Sequence, residues 1–274
     1  MPEQAVATGA ERKHGVTPGM AHMYAERTAP QQAVFLLPYL TPGMRVLDCG
    51  CGPGSITVGL AKAVAPGEVV GIDHDDLHIE TARALAAERG VANVSFQPGD
   101  IYQLPFEDET FDAVYENAVF IHLKDRDHAA REIYRVLKPG GLFAARDTEM
   151  DGLYMSNMTP SIQRGQKLFR RWQRHRGSDL RTGKNLPAIL RHAGFERIVP
   201  SASYEIFRGE QEADGRGMAA LFTESPLTRV ALERGWVDRA TLDRIAADWL
   251  AWAEKPDSYL ANAMGEAIGW KQEA

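Results

Sequence analysis

The stretch VLDCGCGPGSITVGLA, residues 46–61, runs from an apolar strand through a glycine turn into a helix. Gly50, Gly52 and Gly54 permit positive φ and let backbone come close to a ligand at the helix N-terminus. The register is GxGxG. A dinucleotide fingerprint needs GxGxxG, and Ser55 stands where its third glycine would let the helix pack. No GK[ST] follows, which excludes a P-loop.

Outward from this turn, apolar runs and helical patterns alternate. EVVGID (68–73), ANVSFQPGD (92–100), TFDAVYEN (110–117) and GLFAARDT (141–148) read as strands. DLHIETARALAAERG (76–90) and RDHAAREIYRVLK (126–138) read as helices, stopped by Gly90 and by ProGlyGly at 139–141. Residues 29–40 look like a short helix before the first strand. Strict alternation over about 130 residues demands a parallel sheet with helices on both faces, because each crossover passes over the sheet right-handedly. The second half predicts helices over 160–176 and 181–193, then two or three between about 211 and 254. Strands are expected at 196–208 and 259–271, the last pairing with 196–208. No low-complexity linker separates the halves, so the helices read as insertions and not as a second domain. The expected division is a tail with a lid helix at 1–28, a core at 29–150, and at 151–274 helical insertions with the last two strands of the same sheet.

In an open α/β sheet, ligands sit at the carboxyl ends of the strands where strand order reverses. Four such ends here carry suitable residues. After the glycine turn comes Asp73, ending the second strand, where a carboxylate can accept both hydroxyls of a ribose, with His74 beside it. Asp100 can meet the edge of an adenine and Ile101 its face. Asn117 ends the fourth strand.

At these residues the chain resembles the class I S-adenosylmethionine-dependent methyltransferases, on VLDCGCGPG, VVGID, GDIYQLPFEDETFDAVYEN and REIYRVLKPGG, over roughly 44–148. Within them it is nearest to the ubiquinone/menaquinone-type and natural-product small-molecule branch. The resemblance implies a Rossmann-like, seven-stranded doubly wound sheet with its last strand antiparallel, and helical insertions forming a substrate cap. It implies S-adenosylmethionine as cofactor and S-adenosylhomocysteine as product. Gly50, Gly52 and Gly54 would approach the methionine part, Asp73 hold the ribose, Asp100 and Ile101 bind adenine, and Asn117 face the methionine moiety. That cofactor has no phosphate, so it asks for close backbone approach without a pyrophosphate cradle.

Methyl transfer from a sulfonium is an in-line displacement in which the protein chiefly aligns nucleophile and methyl. A base is needed only if the nucleophile must lose a proton. His122, just after the fourth strand in NAVFIHLKD, lies near the expected methyl position and is one candidate. Asp147, with Glu149 and Asp151 on the same face if extended, is a second; helix capping and solvation are the competing account of these carboxylates. Tyr24 is a third. Tyr24 and Arg27, in MYAERTA, could fold over the cofactor as a lid, with Arg27 pairing its carboxylate.

The remaining features bound the function class. The basic run 163–184 suits a solvated helix face, with an anionic substrate or RNA as rival readings. The chain has 274 residues, 44% apolar and 25% charged, enough to bury a core and too apolar for wholesale disorder. Thirty-one basic against 37 acidic side chains, a net −6, argue against nucleic acid and anionic membranes. Its longest apolar stretch, AVFLLPYL (33–40), cannot span a bilayer. Cys49 and Cys51 are too close for a disulfide framework, and CxC alone supplies too few ligands for a metal, so none is expected. Tyr154, Met155, Met158, Phe169, Trp172, Met218, Phe222, Trp236, Trp249 and Trp252 lie in the segments expected to build the substrate pocket. Many of them must be core, yet a pocket lined from this set suits an apolar or aromatic small molecule.

The expectation is a cytoplasmic methyltransferase acting on such a metabolite. Methylation of a quinone ring or isoprenoid chain, and a non-catalytic cofactor-binding regulator, stay open. A nicotinamide dehydrogenase is disfavoured by GxGxG. The N-terminal segment also leaves a homo-oligomer open.

Overall fold

A computed structural model describes residues 27–208 and 212–273. The strands are β1 (Val46–Cys49), β2 (Val69–Asp73), β3 (Val94–Pro98), β4 (Phe111–Asn117), β5 (Leu137–Thr148), β6 (Tyr154–Met155), β7 (Glu196–Arg208) and β8 (Tyr259–Trp270). The helices are α1 (Ala29–Gln32), α2 (Ser55–Val64), α3 (Asp76–Glu88), α4 (Arg126–Val136), α5 (Pro160–His175), α6 (Leu186–His192), α7 (Glu212–Ala220), α8 (Pro226–Glu233) and α9 (Arg239–Ala253). Sheet order is β3-β2-β1-β4-β5-β8-β6, with β7 also paired to β8. The first five strands are parallel and β8 runs antiparallel to β5. Seven long strands thus follow the expected plan, and the two-residue β6 is added.

Of the described residues, 27–152, 180–204 and 263–273 make one compact unit. Its inner strands β1, β2, β4 and β5 are buried on two faces, set by the two-residue alternation of a strand. Leu47, Val114, Phe143 and Ala145 pack with Ile133 and Val136 of α4 and with Leu190 of α6. Their neighbours Val46, Ala113, Tyr115, Leu142 and Ala144 pack with Leu60, Ala61 and Val64 of α2, and with Leu36. The helix expected at 29–40 is broken into α1 and a 3-10 turn at Leu37–Tyr39, where Pro38 withholds a backbone donor. The one expected at 181–193 begins as α6, after a 3-10 turn at Gly183–Asn185, with a proline in its first turn.

Residues 153–179, 205–208 and 212–262 belong to the second compact unit, which closes on its own core. Trp172, Phe222, Leu242, Ile245, Trp249 and Trp252 are buried in it together. Helix starts are marked by Thr159, Ser225 and Asp238, each accepting a backbone N–H three residues on. Gly165 of α5 lets Ile245 and Phe222 approach, for a Cβ there would stand 2.6 Å from Ile245 Cγ2 and 3.1 Å from Phe222 Cζ. Gly165→Ala gains about 1 kcal/mol of helix propensity but overpacks this contact by about 1–3 kcal/mol. A lowered urea midpoint is expected, and an unchanged one would mean the core gives way freely.

Candidate active site at the carboxyl ends of the parallel strands

The glycine turn leaves β1 with positive φ at Gly50 (+74°), Gly52 (+52°) and Gly54 (+80°). Each has its own reason for lacking a side chain. A Cβ on Gly50 would run into the Cγ2 methyl of Val119, in the loop after β4. One on Gly54 would stand 2.7 Å from Ala82 Cβ on α3. At Gly52 a Cβ would meet nothing within 4 Å, so open space lies against that backbone. Gly50→Ala should therefore shift the loop after β4 and add roughly 1–2 kcal/mol of left-handed strain, read as a melting temperature several degrees lower.

The turn uses its own donors internally. Gly50 and Cys51 N–H both donate to Ile72 O, at 2.7 and 2.9 Å, and Gly54 N–H donates to Cys51 O at 3.0 Å. Gly52 N–H donates to Asp73 Oδ2 at 3.0 Å. A pyrophosphate would need these donors free.

Asp73 is buried at the end of β2. Its Oδ1 accepts Asp75 N–H at 3.0 Å and faces His74 Nδ1 at 3.2 Å and His78 Nδ1 at 3.5 Å. Burial opposes ionisation, yet these imidazoles and the Asp75 N–H hold the carboxyl well below the usual carboxylate range. The same pairing raises His78. Oδ2 carries a single backbone bond, so acceptor capacity remains. His74 is largely exposed.

The other expected ligand residues are placed as follows. Asp100 is exposed and its Oδ1 accepts Tyr102 N–H at 2.9 Å, while Ile101 is buried and joins the core below. Asn117 Oδ1 accepts Arg146 Nη1 at 3.0 Å. Arg27 is half-buried, its charge acting on Tyr115. Tyr24 lies outside the described residues. His122 closes a 3-10 turn, Phe120–His122, and is exposed.

Asp147, Glu149 and Asp151 do not share one face. Glu149 Oε2 accepts Lys184 N–H at 3.1 Å, and Lys184 Nζ pairs with Asp151 Oδ2 at 2.6 Å. Asp147 is fully buried: its Oδ1 accepts Ile121 N–H at 3.4 Å and its Oδ2 has no hydrogen-bond partner. Burial and the neighbouring Glu116 push it well above the carboxylate range. Glu116, equally buried, accepts Val119 N–H and Arg146 N–H at 3.1 Å each, and burial pushes it up to about 8. Under the turn, Thr57 Oγ1 donates to Asp48 Oδ2 at 2.6 Å, and burial raises Asp48 to about 7. Sequence reading passed over Asp48, Glu116 and Arg146. Their signal was available: each is a charge next to apolar residues within a strand whose neighbours are buried.

Of the residues expected around a substrate pocket, Trp172, Phe222, Trp249 and Trp252 are core, as many of the set had to be, whereas Tyr154 and Met158 are exposed, as is Tyr259. In the basic run, Arg171 lies 4.3 Å over the Trp236 ring and Arg176 4.6 Å over Trp172, so part of that charge packs on aromatic faces. Among the described residues no cluster of three or more His, Cys, Asp or Glu could hold a metal, and no helix is long and apolar enough to cross a membrane.

A doubly wound sheet with an antiparallel strand beside β5, a phosphate-free glycine turn and an acidic residue ending β2 define a nucleoside-binding α/β enzyme. A family model described as "Methyltransferase domain" matches residues 40–194. The probable methyltransferase ltbC of Aspergillus luteorubrus is 32% identical, over 94% of this chain and 96% of its own. Demethylmenaquinone methyltransferase of Lactococcus lactis is 31% identical, over 57% of this chain and 67% of its own. Among solved structures, phosphoethanolamine N-methyltransferase 2 of Haemonchus contortus, in complex with S-adenosyl-L-methionine, aligns with a TM-score of 0.54 at 20% identity. That alignment covers 89% of this chain and 52% of the other. The chain belongs to the methyltransferase domain family, within the class I S-adenosylmethionine-dependent enzymes. The residues fit that cofactor: the space at Gly52 admits a ligand, Asp73 keeps an acceptor for a ribose, and the turn offers no phosphate cradle.

Proposed function

We propose that the enzyme methylates a small apolar or aromatic metabolite of secondary metabolism. The observation carrying this reading is the pair of tilted rings Tyr154 and Tyr259, centroids 5.7 Å apart and 58% and 38% exposed, with Met158 also exposed. Aromatic surface left in solvent is a face on which a planar apolar ligand can stack. The likeness to the probable methyltransferase ltbC over nearly the whole chain supports methyl transfer as the reaction.

When bound, S-adenosylmethionine supplies an electrophilic methyl on sulfur. In this reading Gly50, Gly52 and Gly54 form the surface against its methionine part, and Asp73, with His74, takes the ribose. Asp100 and Ile101 meet the adenine, Asn117 faces the amino-acid end, and Tyr24 and Arg27 close over it. His122, exposed in its turn, is the proton acceptor if the nucleophile must lose one. Asp147, another candidate base, is fully buried and accepts Ile121 N–H, so it is assigned to shaping the loop after β4. The core at 29–150 binds the cofactor and the helical segments of 151–274 select the acceptor. Cytoplasmic residence belongs to the same proposal, supported by two free buried cysteines.

A second reading is methylation of a quinone ring, supported by the likeness to demethylmenaquinone methyltransferase. Methyl transfer from labelled S-adenosylmethionine to matched phenols, naphthoquinols, amines and isoprenoid alcohols tests both. Turnover of simple phenols or aryl amines supports the first, turnover confined to quinols the second, and transfer only to sugars or nucleosides would overturn both.

A further inference from the structure

We propose that Arg146 is a positioning residue that turns the Asn117 amide so that its N–H₂ group, and not its carbonyl, faces the cofactor's amino-acid end. The inference rests on the reading of Asn117 as a residue facing that end.

Arg146 sits near the end of β5 with its side chain almost wholly buried. A buried guanidinium is costly unless every bond is well placed, so its partners tell what it holds. Nη1 donates to Gln32 Oε1 at 2.6 Å and to Asn117 Oδ1 at 3.0 Å. Nε donates to Glu266 Oε1 at 3.3 Å, and Nη2 reaches Ser203 Oγ at 3.4 Å. Glu266 is itself held by Ser203 Oγ at 2.5 Å and Ser201 Oγ at 2.7 Å. One side chain therefore ties α1, β4, β7 and β8 to β5. Gln32 is fixed from its other side as well, since its backbone carbonyl accepts Tyr115 Oη–H at 3.0 Å.

The chemistry decides the amide's orientation. A guanidinium only donates, so the Asn117 atom facing it must be the carbonyl oxygen. The Nδ2 group is then left to donate elsewhere. A carboxylate accepts such a donor, whereas an ammonium does not, so Asn117 selects the carboxylate of the amino-acid end. Lysine would not substitute for Arg146, because one ammonium in place of Nη1 leaves Glu266 and Ser203 without the donors that Nε and Nη2 supply.

Calorimetric titration of the full chain with S-adenosylhomocysteine and with methylthioadenosine, which keeps the nucleoside and sulfur but lacks the amino-acid part, tests this. Asn117→Asp keeps an acceptor toward Arg146 and replaces the outward donor by an acceptor. It should weaken S-adenosylhomocysteine by about tenfold or more and leave methylthioadenosine within about twofold. Arg146→Lys should show the same selective loss and combine non-additively with Asn117→Ala. Ser203→Ala, which loosens Glu266 without removing a charge, should show a smaller selective loss and serves if Arg146→Lys does not fold. Equal weakening of both ligands in the Arg146 and Ser203 variants would mean a merely structural role and overturn the proposal. So would unchanged S-adenosylhomocysteine binding in Asn117→Asp. A native chain that binds methylthioadenosine and S-adenosylhomocysteine equally well would instead remove the underlying reading of Asn117.

Discussion

Asp73→Ala should lower the affinity for both S-adenosylmethionine and S-adenosylhomocysteine by about 10²–10⁴-fold. Two ribose hydroxyls donating to a carboxylate contribute about 1.5–3 kcal/mol each, and alanine removes both acceptors. It also removes the acceptor of Gly52 N–H and Asp75 N–H, so the turn and the start of α3 loosen together. Asp73→Asn keeps one acceptor oxygen and should fall between. Because Asp73 is held below the carboxylate range, its ionisation does not change above pH 4, and the contribution of this residue to binding should be flat from there upward. Calorimetry with both ligands and with NAD⁺ reads the result. Binding of NAD⁺ alone would overturn the cofactor, and native affinity in Asp73→Ala would remove Asp73 from the ribose.

The second large effect is on stability against pH. Glu116 is pushed up to about 8 from an ordinary 4.5, Asp48 to about 7 from 3.8, and Asp147 upward as well, each mainly by burial. The folded chain thus keeps protons that the unfolded chain has released. Stability is fully present below about pH 4 and falls as pH rises toward 8. His78, raised by Asp73, acts in the same direction above its ordinary 6.5. Asp73 acts oppositely, but only below 3.8. At about 1.4 kcal/mol per unit the loss reaches several kcal/mol, so the melting temperature should fall by about 10 °C or more between pH 5 and pH 8.5. Glu116→Gln removes one titration and should flatten the slope. Its amide also turns a donor toward Val119 N–H or Arg146 N–H, so the variant should melt lower at pH 5. A melting temperature that rises with pH over this range would falsify the account.

The glycine turn, the alternation of strand and helix and the acidic end of β2 were legible because each is a local pattern. A positive φ asks for glycine at its own position, and a strand buried on both faces must be apolar throughout. The antiparallel last strand was expected from resemblance and is found between β5 and β7. Side-chain partnership was not legible. Arg146 meets Gln32 at a separation of 114 residues and Glu266 at 120, and no spacing rule links them. Asp147 illustrates the same limit. In sequence it stands with Glu149 and Asp151 as one of three alternating carboxylates, but β5 ends at Thr148, so Asp147 stays buried while Lys184 gathers the other two. The aromatic residues of the second half divide similarly, Trp249 and Trp252 into a core and Tyr154 and Tyr259 toward solvent. The sequence by itself determined the class of sheet, the turn and the row of strand-end residues, because periodicity and backbone conformation depend on neighbours along the chain. Which charges are buried, which of them share partners and which aromatics remain exposed was decided by the tertiary structure alone, because burial depends on what packs across strands and helices far apart in sequence.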